Sequence, residues 1–407
     1  MRIAVHDYSG HPFQAQLSRH LASLGHHVLH LYCTDFETPR GGLTQPTDSA
    51  VSVEAVSISR PVPKYDFLGR WRHDHAYGGA LSRRVLAFRP DVVLSANTPP
   101  AAQARLLAAL RPCGIPLVIW VQDIFSIGVE AVLRNRPWPL RHIAGTMVRR
   151  IEFGTMRGAA ALVVISPDFI PILASRGLHH PVTEIIENWA PLGEITPCPK
   201  DNSWSRRHGL DDRFVYLYSG TLGMKHNPSL LAELARATKD DGARVVVVSQ
   251  GRGRRWLEEA KAREGLDSLV LLDFQPYEEL SQVLGAADVA VVLLEDFAGA
   301  LSVPSKIYSA FCAERPLLAA IPAANLAHRL IHEQQAGCCV APTDSAGFID
   351  AARRLYADPA RRAQMSANQA AYAASHFDIA GIGKRFENLL ERATRPTPPK
   401  AVRGKSD

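Results

Sequence analysis

Short runs of β-branched and apolar residues alternate with helix-periodic segments along almost the whole of this chain, and no other feature restricts its fold so strongly. The runs at 3–6, 27–33, 51–58, 91–96, 116–122, 161–166 and 182–186 form a first group, and those at 214–219, 244–249, 269–273, 289–294 and 316–320 a second. Some, such as Val245 to Val248, are apolar on both faces. Strands of that kind belong to parallel sheets, where a crossover helix returns the chain for each pairing and covers the faces. The pattern therefore predicts an α/β protein with two doubly wound, Rossmann-like sheets. A chain of 407 residues suits two domains better than one core. We expect a first domain over 1–190, a linker over 191–204 where Pro191, Pro197 and Pro199 break the periodicity, and a second domain over 205–375. A last helix over 376–394 and a disordered tail over 395–407 complete the chain.

Apolar residues make up 46% of the chain and charged residues 21%, as in soluble globular proteins. No apolar run reaches the roughly 20 residues that span a bilayer. The start, Met1 to His6, reads as a strand rather than a signal peptide, so the expected location is the cytoplasm. Cys33, Cys113, Cys198, Cys312, Cys338 and Cys339 show no metal-ligand spacing, which predicts reduced thiols and no metal site. A net charge of +6 leans toward anionic partners: nucleotides, phospholipid head groups or nucleic acid.

The most informative stretch is 215–228, where a strand ends at Ser219-Gly220, a short loop carries Thr221, Gly223 and Lys225, and Asn227-Pro228 opens a helix. Free backbone N–H groups at a helix start, a glycine that allows close approach and one ammonium make a seat for a diphosphate. The segment Val303-Pro304-Ser305-Lys306 repeats the pattern, with Pro304 suited to a first helical turn and Lys306 beside it. Gly251 and Arg252 follow the valine strand in a second glycine loop, and Phe274-Gln275 follows the next strand, where main-chain groups can read a base edge. In the first half, Gly10 and His11 sit after the first strand, Asn97 after the strand at 91–96, and Gln122-Asp123 at the end of another. Ligands of open parallel sheets lie beyond the carboxyl ends of the strands, so these loops face any cleft. A basic amphipathic stretch at 134–157, with Trp138, Leu140, Ile143, Met147, Ile151 and Phe153 flanked by arginines that include Arg136, suits an anionic membrane surface. The stretch 67–73 has similar chemistry in loop-like sequence. Each of these has a plain structural alternative: a βα turn, a helix cap or a core-facing helix.

Taken in order, the Gly10 loop, Gln122-Asp123, Asn188-Trp189, Ser219-Gly220 with Lys225, Gly251, Tyr277 to Leu280 and Val303 to Lys306 resemble the GT-B retaining glycosyltransferases of family 4. Within that family the chain is similar to WbuB-type, fucosamine transferase-like enzymes of polysaccharide biosynthesis. The resemblance implies a nucleotide sugar, a UDP-sugar, on the second domain, its base near Phe274-Gln275 and its diphosphate at Lys225 and the Ser305-Lys306 helix start. It implies a lipid-linked or saccharide acceptor over the first domain, at Gly10, His11, Asn97, Gln122 and Asp123. Asp123, Lys225 and Lys306 become the catalytic candidates, the last helix crosses back to the first domain, and neither cofactor nor metal is needed. A nucleic-acid partner is not implied; an anionic membrane is. The chain departs from the family pattern at Leu301 and Ser309, where two glutamates are common, at Thr221, commonly arginine, and at Gln122, commonly histidine. A sugar-nucleotide 2-epimerase and a non-catalytic sugar-nucleotide-binding subunit stand as alternatives.

Overall fold

The computed structural model describes residues 1–36, 38, 40, 41, 43, 50–60, 62, 66–134, 137–223, 225–299 and 301–395. The first sheet contains β1 (Arg2–Asp7), β2 (His27–Cys33), β3 (Val51–Val56), β4 (Val92–Ala96), β5 (Leu117–Val121), β6 (Ala161–Val164) and β7 (Thr183–Ile185). The second contains β8 (Val215–Ser219), β9 (Arg244–Val248), β10 (Leu269–Leu272), β11 (Val289–Leu293), β12 (Leu317–Ala320) and β13 (Gly337–Val340). The strand orders are β3-β2-β1-β4-β5-β6-β7 and β10-β9-β8-β11-β12-β13, with every pairing parallel. The two sheets thus repeat one topology, and each has its switch point beside its first strand, between β1 and β4 and between β8 and β11. Central strands β4, β5 and β11 are buried at every position, as their unbroken apolar runs require, whereas edge strand β3 is exposed at Ser52 and Ala55 and half-buried between them.

Every strand expected from the sequence is present, shifted by no more than two residues at either end. One was missed. β13 is only Gly-Cys-Cys-Val, too short and too weakly β-forming to stand out, and Gly337 is needed there because a Cβ would lie 2.2 Å from the Leu317 carbonyl oxygen. The 67–73 stretch is not a loop but the start of a helix, Phe67–Phe88, in which Arg70 is paired with Asp74 at 2.8 Å and His73 is buried. The expected tail lies, from residue 396 on, outside the described residues, as do Arg136 and the Leu140 side chain.

The proline-rich join is pinned rather than loose. Asn202 caps helix Ser203–Arg207 by a reciprocal bond with Ser205, Trp204 donates to Gln275 at 2.9 Å, and Thr196 N–H donates to Ser281 at 3.1 Å. Helix Ile379–Thr394 then leaves the second domain and packs on the first, joined by His26 to Glu387 at 2.9 Å and Arg392 to Glu184 at 2.7 Å. Its Phe386 completes an aromatic cluster, 4.7 Å from Trp120, which stacks on Trp189 at 5.7 Å, with Phe13 edge-on to both tryptophans. The first domain's core therefore includes a residue from the chain's last helix. We predict that Phe386→Ala lowers stability by about 3–5 kcal/mol, the usual range for a buried phenylalanine. A thermal midpoint unchanged from wild type would show that the crossover helix does not hold the first domain.

Candidate active site

Both switch points open into the same interdomain crevice. Its cavity is about 370 Å³, within the range of small-ligand sites, and is lined by Ser9 and His11 after β1, by Ser219, Gly220 and Thr221 after β8, and by Ser305, Lys306 and Ser309. Tyr277 and Leu280 form part of its wall.

The β8 turn is shaped for close approach. Gly220 has φ +115°, and a Cβ there would lie 2.9 Å from Lys306 Cε and 3.2 Å from its Nζ. Glycine lets the Lys306 ammonium settle on the turn, 5.0 Å from the centre of the Tyr218 ring. Lys306 is the first residue of helix Lys306–Cys312 with Ser305 at its cap; Pro304 lies just before the helix rather than in its first turn. Likewise, the helix after the β8 loop starts at Ser229, whose N–H donates to the Asn227 side chain at 3.0 Å. Burial, with the charge of Lys225 added to it, pushes Lys306 down to about 8. His226 feels the same field: burial, then Lys306 and Lys225, hold it well below its ordinary value, and its Nδ1 accepts from Gly223 N–H at 3.1 Å. Positive charge is concentrated here.

The balancing carboxylate comes from the other domain. Asp123, just past β5, accepts from Lys225 Nζ at 2.8 Å, and Ser302 Oγ stands 3.3 Å from the same nitrogen. The backbones join as well, through a bridge between Asp123 and Ser302 and a bond from Ile124 N–H to the Leu301 carbonyl at 3.1 Å. A second interdomain ion pair, Arg329 to Asp168 at 2.8 Å, lies outside the crevice lining.

On the first domain, Asp7 is fully buried at the end of β1 and holds His11 through its backbone N–H and through Nδ1, the latter at 3.1 Å. Burial raises Asp7, but the charge and hydrogen bonds of His11 outweigh it and the net direction is down. Burial lowers His11, yet Asp7, by charge and hydrogen bond, and Asp123 more distantly, carry it above its ordinary value. His11 therefore presents a ring oriented by a carboxylate to the cavity. Asn97, Gln122 and Asp123 meet around a smaller hollow of about 30 Å³ at the ends of β4 and β5. There Asn97, at φ +57°, donates to Ser9 at 3.0 Å, and the Gln122 amide is committed to Asn188 by reciprocal bonds of 3.0 and 2.7 Å.

Of the residues singled out in the sequence, the structure gathers Thr221, Ser305, Lys306, Gly220 and His11 in the cavity, and pairs Lys225 with Asp123 outside its lining. Gly223 supports the loop through His226. Gly10 has φ +75° and packs beneath Leu43 and Arg40 instead of facing the cavity. Gly251, Arg252, Phe274 and Gln275 do not line it either: Gly251 makes the turn into helix Arg252–Glu264, and Gln275 bonds Trp204. Leu301 is buried and Ser309 faces the cavity, so neither place holds a carboxylate. Sequence reasoning missed Asp7, legible as an acid four residues before His11 at a strand end, and Tyr277, which bonds Glu194 at 2.8 Å and whose ring a Gly41 Cβ would meet at 2.2 Å. Among the described residues, no three His, Cys, Asp or Glu side chains are grouped to hold a metal ion, and no helix is long and apolar enough to cross a membrane.

Residues 11–189 match the glycosyl transferase 4-like domain model and residues 213–358 match the glycosyl transferases group 1 model. The chain is built from two glycosyltransferase-family domains. It is 26% identical over 268 residues to the probable glycosyltransferase WbjE of Pseudomonas aeruginosa, covering 63% of this chain and 64% of that one. It is 27% identical over 195 residues to the alpha-D-kanosaminyltransferase of Streptomyces kanamyceticus, covering 45% and 47%. The matches span less than two thirds of these relatives. Among solved structures, the sucrose-phosphate synthase of Thermosynechococcus elongatus superposes with TM-score 0.73 at 15% identity, over 96% of this chain and 98% of that one. HepE of Anabaena, in complex with UDP and glucose, superposes with TM-score 0.72 at 16% identity, over 96% and 99%. The GT-B architecture expected from the sequence is thus the fold of this chain.

The depressed Lys306 makes a stability test. Between pH 8 and 10 the folded protein has shed the Lys306 proton while the unfolded chain keeps it, so stability rises with pH through that window. Replacing the charge by Lys306→Met removes this dependence. The difference in thermal midpoint between variant and wild type is expected to shrink from pH 7 to pH 10; a constant difference would mean that Lys306 is not strained by its surroundings.

Proposed function

We propose that the protein transfers a sugar from a UDP-sugar to a lipid-linked saccharide, with retention at the anomeric carbon, in the assembly of a bacterial surface polysaccharide. The observation that carries this reading is Lys306, seated on the Gly220 turn in the wall of an interdomain crevice and within the field of Lys225, itself paired with Asp123 of the other domain. Such a cluster suits a nucleoside diphosphate, whose oxygens would take the place that the Asp123 carboxylate now fills beside Lys225. Similar proteins point the same way: HepE of Anabaena was solved with UDP-glucose, and WcaI of Escherichia coli, 29% identical over 123 residues, is described as a putative colanic acid biosynthesis glycosyl transferase. The WbuB-type likeness of the motifs belongs with this reading.

In the proposed step the acceptor hydroxyl oxygen bonds to the anomeric carbon as the bond to the diphosphate oxygen breaks on the same face. The hydroxyl proton passes to the departing diphosphate oxygen, and Lys225 and Lys306 stabilise the charge that develops there. Donor contacts come from Gly220, Thr221, Gly223, Ser305 and Lys306, with the preceding Pro304 setting the helix entry. His11, oriented by Asp7, and Asp123, once released from Lys225, address the acceptor. Gly251, Arg252, Phe274 and Gln275 would act only from behind the lining. No metal is required, because the two ammonium groups supply the positive charge. The acceptor's lipid places the protein on the inner face of an anionic membrane. Trp138 and Ile143, 65% and 67% exposed among arginines, and Leu68, 65% exposed, would meet it.

Lys225→Ala and Lys306→Ala are each expected to lower turnover about 100-fold with UDP-sugars and membrane extract, the usual size for losing one contact to developing charge. Near-normal turnover in both would remove the mechanism. Release of an epimerised sugar nucleotide, or binding without turnover, would replace the function itself.

A further inference from the structure

His226, on the loop after β8, stands in the cavity wall with no part in the transfer described above. The loop around it is fixed. The Tyr218 hydroxyl donates to the Thr221 carbonyl at 2.9 Å, Gly220 N–H to the Val248 carbonyl at 2.9 Å, and His226 N–H to the Gly223 carbonyl at 3.2 Å. Gly223 N–H returns a bond to His226 Nδ1 at 3.1 Å. A backbone N–H only donates, so Nδ1 is the unprotonated nitrogen and the neutral ring carries its proton on Nε2. Burial first, then the charges of Lys306 and Lys225, hold the ring in that neutral form. Nδ1 is turned back onto its own loop. Nε2, at the opposite edge, meets no hydrogen-bond partner among the described residues and is not sealed from solvent. The ring stands edge-on to buried Tyr218, 6.1 Å between centroids, and Lys306 Nζ lies 5.0 Å from the centre of that same tyrosine ring. One tyrosine thus spaces an N–H donor and an ammonium along a single wall of the cavity.

We propose that His226 donates from Nε2–H to a diphosphate oxygen of the donor, as an uncharged partner of Lys225 and Lys306. The inference rests on the nucleoside diphosphate reading above and adds a binding residue to it. A role confined to shaping the loop needs only an acceptor at Nδ1, which a shorter amide or hydroxyl side chain supplies. It has no use for a second nitrogen left open. An ammonium attracts an oxygen from many directions, whereas an N–H fixed in a ring engages it along one line. The lysines therefore supply charge and His226 supplies direction, with no rearrangement needed when the anion arrives. A neutral donor also spares the loop a third positive charge, which would add to the repulsion that already lowers Lys306.

The test is calorimetric titration of the full chain with UDP and with pyrophosphate, beside thermal midpoints, for wild type, His226→Asn and His226→Gln. Asparagine puts an amide oxygen where Nδ1 now accepts from Gly223 and leaves nothing at the place of Nε2. Glutamine brings an amide N–H near that place and gives up the Gly223 bond. His226→Asn is expected to keep its midpoint and to weaken both ligands about tenfold, the size of one hydrogen bond to a charged oxygen. His226→Gln is expected to bind both within about threefold of wild type, even with a lower midpoint. Unchanged affinity in His226→Asn overturns the proposal. So does a glutamine variant as weak as the asparagine one or weaker, which would mark a loop-shaping role. If pyrophosphate binds and UDP does not, the nucleotide reading falls, and the ranking of the variants on pyrophosphate still decides the role of His226. Binding of neither by wild type overturns both.

Discussion

A buried lysine ammonium, Lys306, stands in the wall of the interdomain cavity within the field of a second lysine, Lys225, and the rest of the molecule answers that constraint. Lys306 is held near the Tyr218 ring over a turn that only a glycine permits, and burial with Lys225's charge pushes it down to about 8. The charge of Lys225 is met in turn by Asp123, brought across from the other domain. The ion pair is partly exposed, so its worth to stability is small. In the proposed function its more important consequence is chemical: an incoming diphosphate would compete with Asp123 for Lys225, coupling donor binding to the freeing of a carboxylate beside the proposed acceptor residues.

This arrangement depends on the repeated topology. Because both sheets have their switch point next to their first strand, the β1 and β8 loops face each other once the domains meet. Domain placement is secured by elements remote in sequence. Trp189, at the end of the first domain, and Phe386 from the last helix both enter the aromatic cluster around Trp120, one strand residue before Val121, Gln122 and Asp123. Packing at the chain's end thereby fixes the segment that supplies the balancing carboxylate. The reciprocal amide pair of Gln122 and Asn188 ties the same segment to the stretch that leads into the join.

Much of this was legible in the residues. The parallel sheets followed from apolar runs too continuous for half-exposed strands, and Gly220, Lys225, Ser305 and Lys306 followed from strand ends meeting glycine or proline. Asp123 stood out as a carboxylate at a strand's end. What the sequence hid was long-range pairing. Nothing local tells that the Gln122 amide is spent on Asn188, that Gln275 serves Trp204, or that Lys225 is bonded to Asp123, 102 positions away. Periodicity marked 134–157 as amphipathic but placed Phe153 on the outward stripe, whereas it is core. β13 escaped because four residues with two cysteines carry almost no strand signal.

The central claim is that Lys306, strained in the free protein, is relieved by a diphosphate. Calorimetric titration of UDP between pH 7 and pH 9, in two buffers of different ionisation heat, measures that relief directly. The account predicts proton uptake on binding above pH 8 and an affinity that falls by about tenfold for each further pH unit, the dependence of one linked proton. UDP binding with constant affinity and no proton exchange across that range would contradict it.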